Sequence, residues 1–82
     1  MNIGLSSKAR KQLDTLPTSE GLKVARKLQA LQINPLVGKP LTGKLKSFYS
    51  LRAWPYRIIY ELAKKKHTIT IHAIEHRQGA YK

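Results

Sequence analysis

The sequence has no cysteine, which excludes a disulfide framework, a thiol nucleophile and a Cys-based zinc site, and leaves the hydrophobic core to hold the chain together. Acids are scarce as well: Asp14, Glu20, Glu61 and Glu75 are the only ones. So few carboxylates offer little to a hard divalent cation and no Ser/His/Asp arrangement, so the expectation is a protein with no metal and no cofactor. No segment approaches the ~20 apolar residues that a bilayer span needs, and Met1 to Leu5 lacks the apolar run of a signal peptide. A soluble, cytoplasmic protein that does not engage a membrane is expected. No Gly-rich loop leads from a strand into a helix to cradle a phosphate, and no internal repeat is visible.

What is present is positive charge. Sixteen Lys and Arg give a formal net charge of +12 over 82 residues, a self-repulsion that destabilises a compact state unless a negative partner offsets it. The charge is not a tail: residues 1–47 carry nine basic residues against two acids, and residues 48–82 carry seven against two. Such a surplus points to a polyanion, RNA foremost. Hydrophobic residues make up 41%, enough for one modest core at this length, so residues 1–82 read as a single domain.

The periodicities predict an α+β order. Asn2 to Leu5 suits an edge strand, and Ser6 or Ser7 offers a cap to a helix over Lys8 to Leu16, with Ala9, Leu13 and Leu16 on one stripe. Pro17 ends it. Thr18 or Ser19 caps a second helix in which Leu22, Ala25, Leu28 and Leu31 recur at helical spacing, with Lys23, Arg26 and Lys27 on the solvent side, up to Asn34-Pro35. Pro35 to Lys46 reads as an irregular, basic surface loop. Phe48 to Ala53, Tyr56 to Ala63 and Thr68 to His76 then read as a strand meander whose one face is covered by the helix hairpin.

Alternation divides the strand residues between the two faces. Tyr49, Leu51, Ala53, Tyr56, Ile58, Tyr60, Leu62, Ile69, Ile71 and Ala73 fall towards the helices. Lys46, Phe48, Ser50, Arg52, Arg57, Ile59, Glu61, His72, Ile74 and His76 fall on the opposite face, where function is expected. Lys46, Arg52, Arg57 and Arg77 can converge on one phosphate-binding surface, because guanidinium forks match phosphate oxygens; the alternative is a solvated edge with Arg57 paired to Glu61 or Glu75. His76, Arg77 and Tyr81 bring an imidazole, a fixed cation and a phenol together. Metal-free RNA cleavage needs such a set: a group to take the 2′-hydroxyl proton, cations for the phosphorane and an acid at the leaving oxygen.

Other residues have plainer readings. His67 and His72 read as turn and sheet-surface residues rather than catalytic ones, Tyr49 as core and Trp54 as a turn residue packing on its own hairpin, with Phe48 open to base stacking. Ile33, Leu36, Val37 and Leu41 read as anchors to the core, the alternative being an exposed strip for a partner helix.

The segments LTGKLKSFYSLRAWPYRIIYEL, Leu41 to Leu62, and ITIHAIEHRQGAYK, Ile69 to Lys82, resemble the RelE/ParE superfamily of type II toxin–antitoxin toxins. The order of strand, helix hairpin, Leu-x-Gly loop at Leu41 to Gly43, Tyr-Arg strand and late His-Arg extends the likeness over nearly the whole chain. The resemblance implies a RelE-like fold and, in the RelE branch, a metal-independent endoribonuclease that cuts mRNA in the ribosomal A site. It implies phosphate contacts by Arg57 and Arg77 with assistance from Tyr81; Lys44, Lys46 and Arg52 are expected to bind RNA beside them. Phe48 and Ser50 stand where that branch places lysines, with Lys44 and Lys46 just upstream as substitutes. The chain ends one residue after Tyr81, so no C-terminal helix is expected. Implied partners are mRNA on the ribosome, ribosomal RNA and an acidic antitoxin, with promoter DNA bound only through the toxin–antitoxin complex. The ParE-like branch shares the scaffold and implies inhibition of DNA gyrase instead.

Overall fold

A strand, two helices and four further strands follow one another in the computed structural model, which describes residues 2–41 and 47–76. They are β1 (Asn2–Leu5), α1 (Ser7–Asp14), α2 (Thr18–Ile33), β2 (Lys39–Pro40), β3 (Phe48–Ala53), β4 (Tyr56–Ala63) and β5 (Thr68–His76). The strands form one sheet in the order β1-β5-β4-β3-β2, with β1 parallel to β5 and every other pairing antiparallel. β2 is a strand that the basic-loop reading missed. Its two residues, Lys39 and Pro40, pair with Ser50 and Tyr49, and a proline is tolerated there because β2 is an edge.

Ser6 caps α1 by accepting a hydrogen bond from the Ala9 amide at 3.1 Å. α2 is entered from Pro17 with no side-chain cap, so neither Thr18 nor Ser19 fills the expected capping role. The buried stripe of α2 is Val24, Leu28 and Leu31, spaced i, i+4 and i+7. Leu22, placed on that stripe from sequence, is 56% exposed instead. The helices cover one sheet face, and Tyr60, Ile58, Ile69, Ile71, Leu31 and Val24 are sealed between the layers. Each such side chain stabilises the fold by about 1.5–3 kcal/mol through removal from water.

Strand β5 departs from simple alternation. Tyr60 pairs with Ile71 but its neighbour Ile59 pairs with Ala73, so His72 is an extra residue in β5. A bulge of this kind leaves the side chains after it on the opposite parity. Ile74, opposite Ile58, is therefore buried in the core cluster, while Ala73 lies opposite Ile59 and outside that cluster. The face assignment from sequence is reversed at Ala73, Ile74 and His76. α1 takes over the edge of β5 where β1 ends: the Ser6 amide donates to the Ile71 carbonyl (2.9 Å), the Ser6 hydroxyl to the His72 carbonyl (3.1 Å), and the Ile74 amide to Gln12 Oε1 (2.7 Å). These bonds satisfy strand groups that β1 is too short to reach.

The segment after α2 does not tuck inward as expected. Ile33, Leu36 and Val37 are 87%, 56% and 48% exposed. Its anchor is backbone: the buried Tyr60 hydroxyl donates to the Pro35 carbonyl at 2.8 Å and accepts from the Gly38 amide at 3.0 Å. Among the described residues no helix is long and apolar enough to cross a membrane.

Candidate nucleic-acid interface

The sheet face turned away from the helices presents three rows of side chains, each running across adjacent strands. At the β3–β4 turn, Arg52 and Arg57 are direct cross-strand partners, and Glu75 of β5 is the partner of Arg57 on its other side. The next row is Lys39, Ser50, Ile59 and Ala73. The third is Phe48 opposite Glu61, with the bulged His72 beside them.

Arg52 and Arg57 stand about 5 Å apart at their Cα atoms, as paired residues of an antiparallel ladder do. Two cations placed directly opposite cost stability rather than add it. Lys39 on the edge strand adds a third cation to the same face, and a groove of about 550 Å³ is lined by Lys39, Pro40, Ser50, Arg52 and Arg57 together with Val37, Leu41 and Leu51. Planar guanidinium groups lining a groove suit phosphate oxygens.

The third row holds a hydrogen-bonded His–Glu pair that sequence reasoning missed. His72 Nε2 lies 3.0 Å from Glu61 Oε1, with side chains 36% and 40% exposed. The Phe48 ring packs on the imidazole, centroids 4.9 Å apart and planes tilted by 35°. Glu61 is thus engaged by His72, and of the two acids considered for Arg57, Glu75 is its ladder neighbour. The signal in the sequence was the spacing Ile69, Ile71, Ile74, whose three-residue step betrays the bulge that carries His72.

The remaining sequence-predicted residues divide. Arg52 and Arg57 come together as expected. His76 does not join them: the bulge turns it to the side of Tyr56, whose ring it meets edge-on with centroids 5.3 Å apart. Lys44, Lys46, Arg77 and Tyr81 lie outside the described residues. His67 sits in the β4–β5 turn with a left-handed φ of 51°. Trp54 is 55% exposed in the β3–β4 turn, and its carbonyl accepts from Lys23 Nζ at 3.1 Å. Tyr49 stacks on Tyr60 against the core, centroids 5.3 Å apart.

Comparison with known proteins agrees with this architecture. A family model described as the ParE toxin of type II toxin–antitoxin system, parDE, matches residues 3–81. No curated protein sequence matches significantly. Among solved structures, the toxin–antitoxin complex RelBE2 from Mycobacterium tuberculosis contains a chain 31% identical over 93% of this one and 96% of its own length, with a TM-score of 0.83. The RelE–RelB complex from Pyrococcus horikoshii (23% identity, 93% of each chain, TM-score 0.76) and the isolated E. coli RelE toxin (19% identity, 92% of this chain and 82% of that one, TM-score 0.80) share the fold. The chain belongs to the RelE/ParE superfamily of toxins of type II toxin–antitoxin systems.

Proposed function

We propose that this toxin is a metal-independent endoribonuclease that cuts mRNA on the ribosome and so inhibits translation in the cytoplasm. The observation that carries the reading is the facing pair Arg52 and Arg57 on the open sheet surface, with Lys39 beside them. Like charges set opposite cost folding energy; Glu75 beside Arg57 offsets part of it, and a phosphodiester, whose charge grows during cleavage, is an anion that suits the rest. Arg57 and Arg77 hold the scissile phosphate and stabilise the phosphorane, and Tyr81 assists at the reacting oxygens. Arg52, Lys44 and Lys46 bind the flanking RNA backbone. His76, turned towards Tyr56, takes no part in proton transfer under this reading. A phosphate on Arg57 is also out of reach of His72: the two rows are four residues apart along β4, roughly 13 Å at about 3.3 Å per residue.

The partner that neutralises this surface is an acidic antitoxin, encoded beside the toxin and binding promoter DNA together with it. Antitoxin is present in the solved RelBE2 and RelE–RelB complexes, and a surface of net charge +12 calls for an acidic cover. Primer extension on translated mRNA tests the activity: cuts within the reading frame are expected in arrested cells, and uncut message there sinks the proposal.

The match to the ParE toxin family model favours a second reading, a non-nuclease inhibitor of DNA gyrase. Purified toxin that traps gyrase-cleaved supercoiled plasmid and leaves mRNA intact decides for it.

A further inference from the structure

We propose that Phe48, Glu61 and His72 form a nucleobase subsite that selects bases bearing an exocyclic amine, and this rests on the RNA reading above. The three residues come from β3, β4 and β5 and meet on the open face through the 3.0 Å His72–Glu61 pair and the 4.9 Å Phe48–His72 ring contact. Phe48 is the chain's one phenylalanine and is only half-buried, on a face that no helix among the described residues covers. An aromatic on an open sheet face is the platform on which single-stranded bases stack.

The pair beside it supplies the reading group. A carboxylate is acceptor-only, so it takes its hydrogen bond from His72 Nε2–H, and that bond fixes the plane of Glu61. The second carboxylate oxygen remains to accept from a base. Adenine, cytosine and guanine offer an exocyclic amino group at the edge, while the one edge donor of uracil, N3–H, is flanked by two carbonyl oxygens, which a carboxylate repels. The subsite therefore discriminates against uracil.

Its position fits a strand that also lies on the arginines. The row of Phe48 and Glu61 is roughly 13 Å from the row of Arg52 and Arg57, four residues at about 3.3 Å each, a span that an extended single strand covers in a few nucleotides. Between the two rows lie Ser50, Ile59 and Ala73, with Lys39 at the sheet edge. The short side chain of Ser50 leaves room for the backbone, and Lys39 lies alongside its phosphates. The carboxylate thus meets a base edge, where an acceptor is useful, and stands apart from the phosphates, where it would repel.

The test is equilibrium binding of the whole chain to short, uncleavable 2′-O-methyl oligomers of adenosine, cytidine or uridine at one fixed salt concentration. The wild type is expected to bind the adenosine and cytidine oligomers at least about 5-fold more tightly than the uridine oligomer. Glu61→Gln, whose amide both donates and accepts, brings the three to within about twofold. Phe48→Leu keeps apolar bulk but loses the ring, and weakens every oligomer by about 5- to 100-fold with the melting temperature held close to wild type. Equal affinities for all three oligomers in the wild type, or wild-type binding by Phe48→Leu, overturn the subsite. If Arg57→Ala weakens binding while Phe48→Leu does not, the subsite falls and the RNA reading stands. If no oligomer binds, the subsite falls, and the RNA reading is decided by primer extension on translated mRNA.

Discussion

The Gly38 amide donates to the hydroxyl of Tyr60, 22 residues further along the chain, at 3.0 Å, and the same hydroxyl donates to the Pro35 carbonyl at 2.8 Å. One buried phenol thereby fixes the segment that delivers Lys39 to the edge of the sheet. A Cβ at position 38 would collide with the Tyr60 hydroxyl and come within 2.8 Å of Cε1, so the position admits only glycine without a shift of the ring or the segment. Gly38→Ala is expected to destabilise by about 1–3 kcal/mol, the usual cost of overpacking, and Tyr60→Phe by about 1–3 kcal/mol, because the Gly38 amide and Pro35 carbonyl lose their partner. Urea denaturation of the two variants measures both.

Tyr60 also gives stability an alkaline limb. Burial pushes its phenol above the ordinary value of 10.0, with a smaller contribution from nearby Tyr49 and an opposing one from the Gly38 hydrogen bond. With the folded pKa raised, the unfolded chain loses this proton first, so the contribution is fully present below pH 10 and is lost as pH rises through the folded value. The expected signature is a steeper fall above pH 10 in wild type than in Tyr60→Phe, read from melting temperatures across that range.

Much of this fold was legible because its signals are local. The Ser6 cap and the bounds of β3, β4 and β5 follow from short-range patterns, and they hold; α1 ends at Asp14, short of the expected stop at Leu16 before Pro17. Three features needed distant information. The burial of Val24 rather than Leu22 depends on how α2 lies on the sheet, since both residues fit a helical stripe. β2 is two residues of an edge, too short to show a period. The bulge at His72 is stabilised by Ser6 and Gln12, more than sixty residues away. Of the candidate site, Arg52 and Arg57 were legible from their symmetric placement about the Trp54-Pro55 turn. The Glu61–His72 pair depends on the bulge and was not.

That bulge makes Gln12 a stabilising residue despite its place on a short, polar helix. Its Oε1 accepts from the Ile74 amide at 2.7 Å, where β5 has run past the end of β1. Gln12→Met keeps the side-chain volume and leaves the amide without this acceptor, at an expected cost of about 1–3 kcal/mol. Amide hydrogen exchange supplies the specific check: Ile74 should lose protection selectively, while Ile71, paired with β1, keeps it.

The two leucine-like positions of α2 separate packing from pattern. Val24 is fully buried and Leu22 is 56% exposed. Val24→Ala is expected to cost about 1.5–3 kcal/mol from lost burial and the cavity left behind, whereas Leu22→Gln stays within about 0.5 kcal/mol of wild type. Equal costs by chemical denaturation would show that α2 lies on the sheet by a different stripe.

Under the RNA reading, Arg52 and Arg57 bind phosphate rather than read bases, and salt dependence is the measurement that distinguishes the two. A cation on a single-stranded phosphate contributes about 0.7 to the slope of log affinity against log salt. Arg52→Ala and Arg57→Ala are each expected to flatten that slope by about 0.7 and to weaken the adenosine, cytidine and uridine oligomers alike. Glu61→Gln should leave the slope unchanged while it alters base preference. The two arginines then differ in turnover: Arg57→Ala abolishes mRNA cutting because its guanidinium acts on the scissile phosphate, whereas Arg52→Ala slows it only as far as binding is weakened, a loss that saturating RNA restores. If Arg57→Ala behaves as Arg52→Ala does, the scissile phosphate is not held at Arg57.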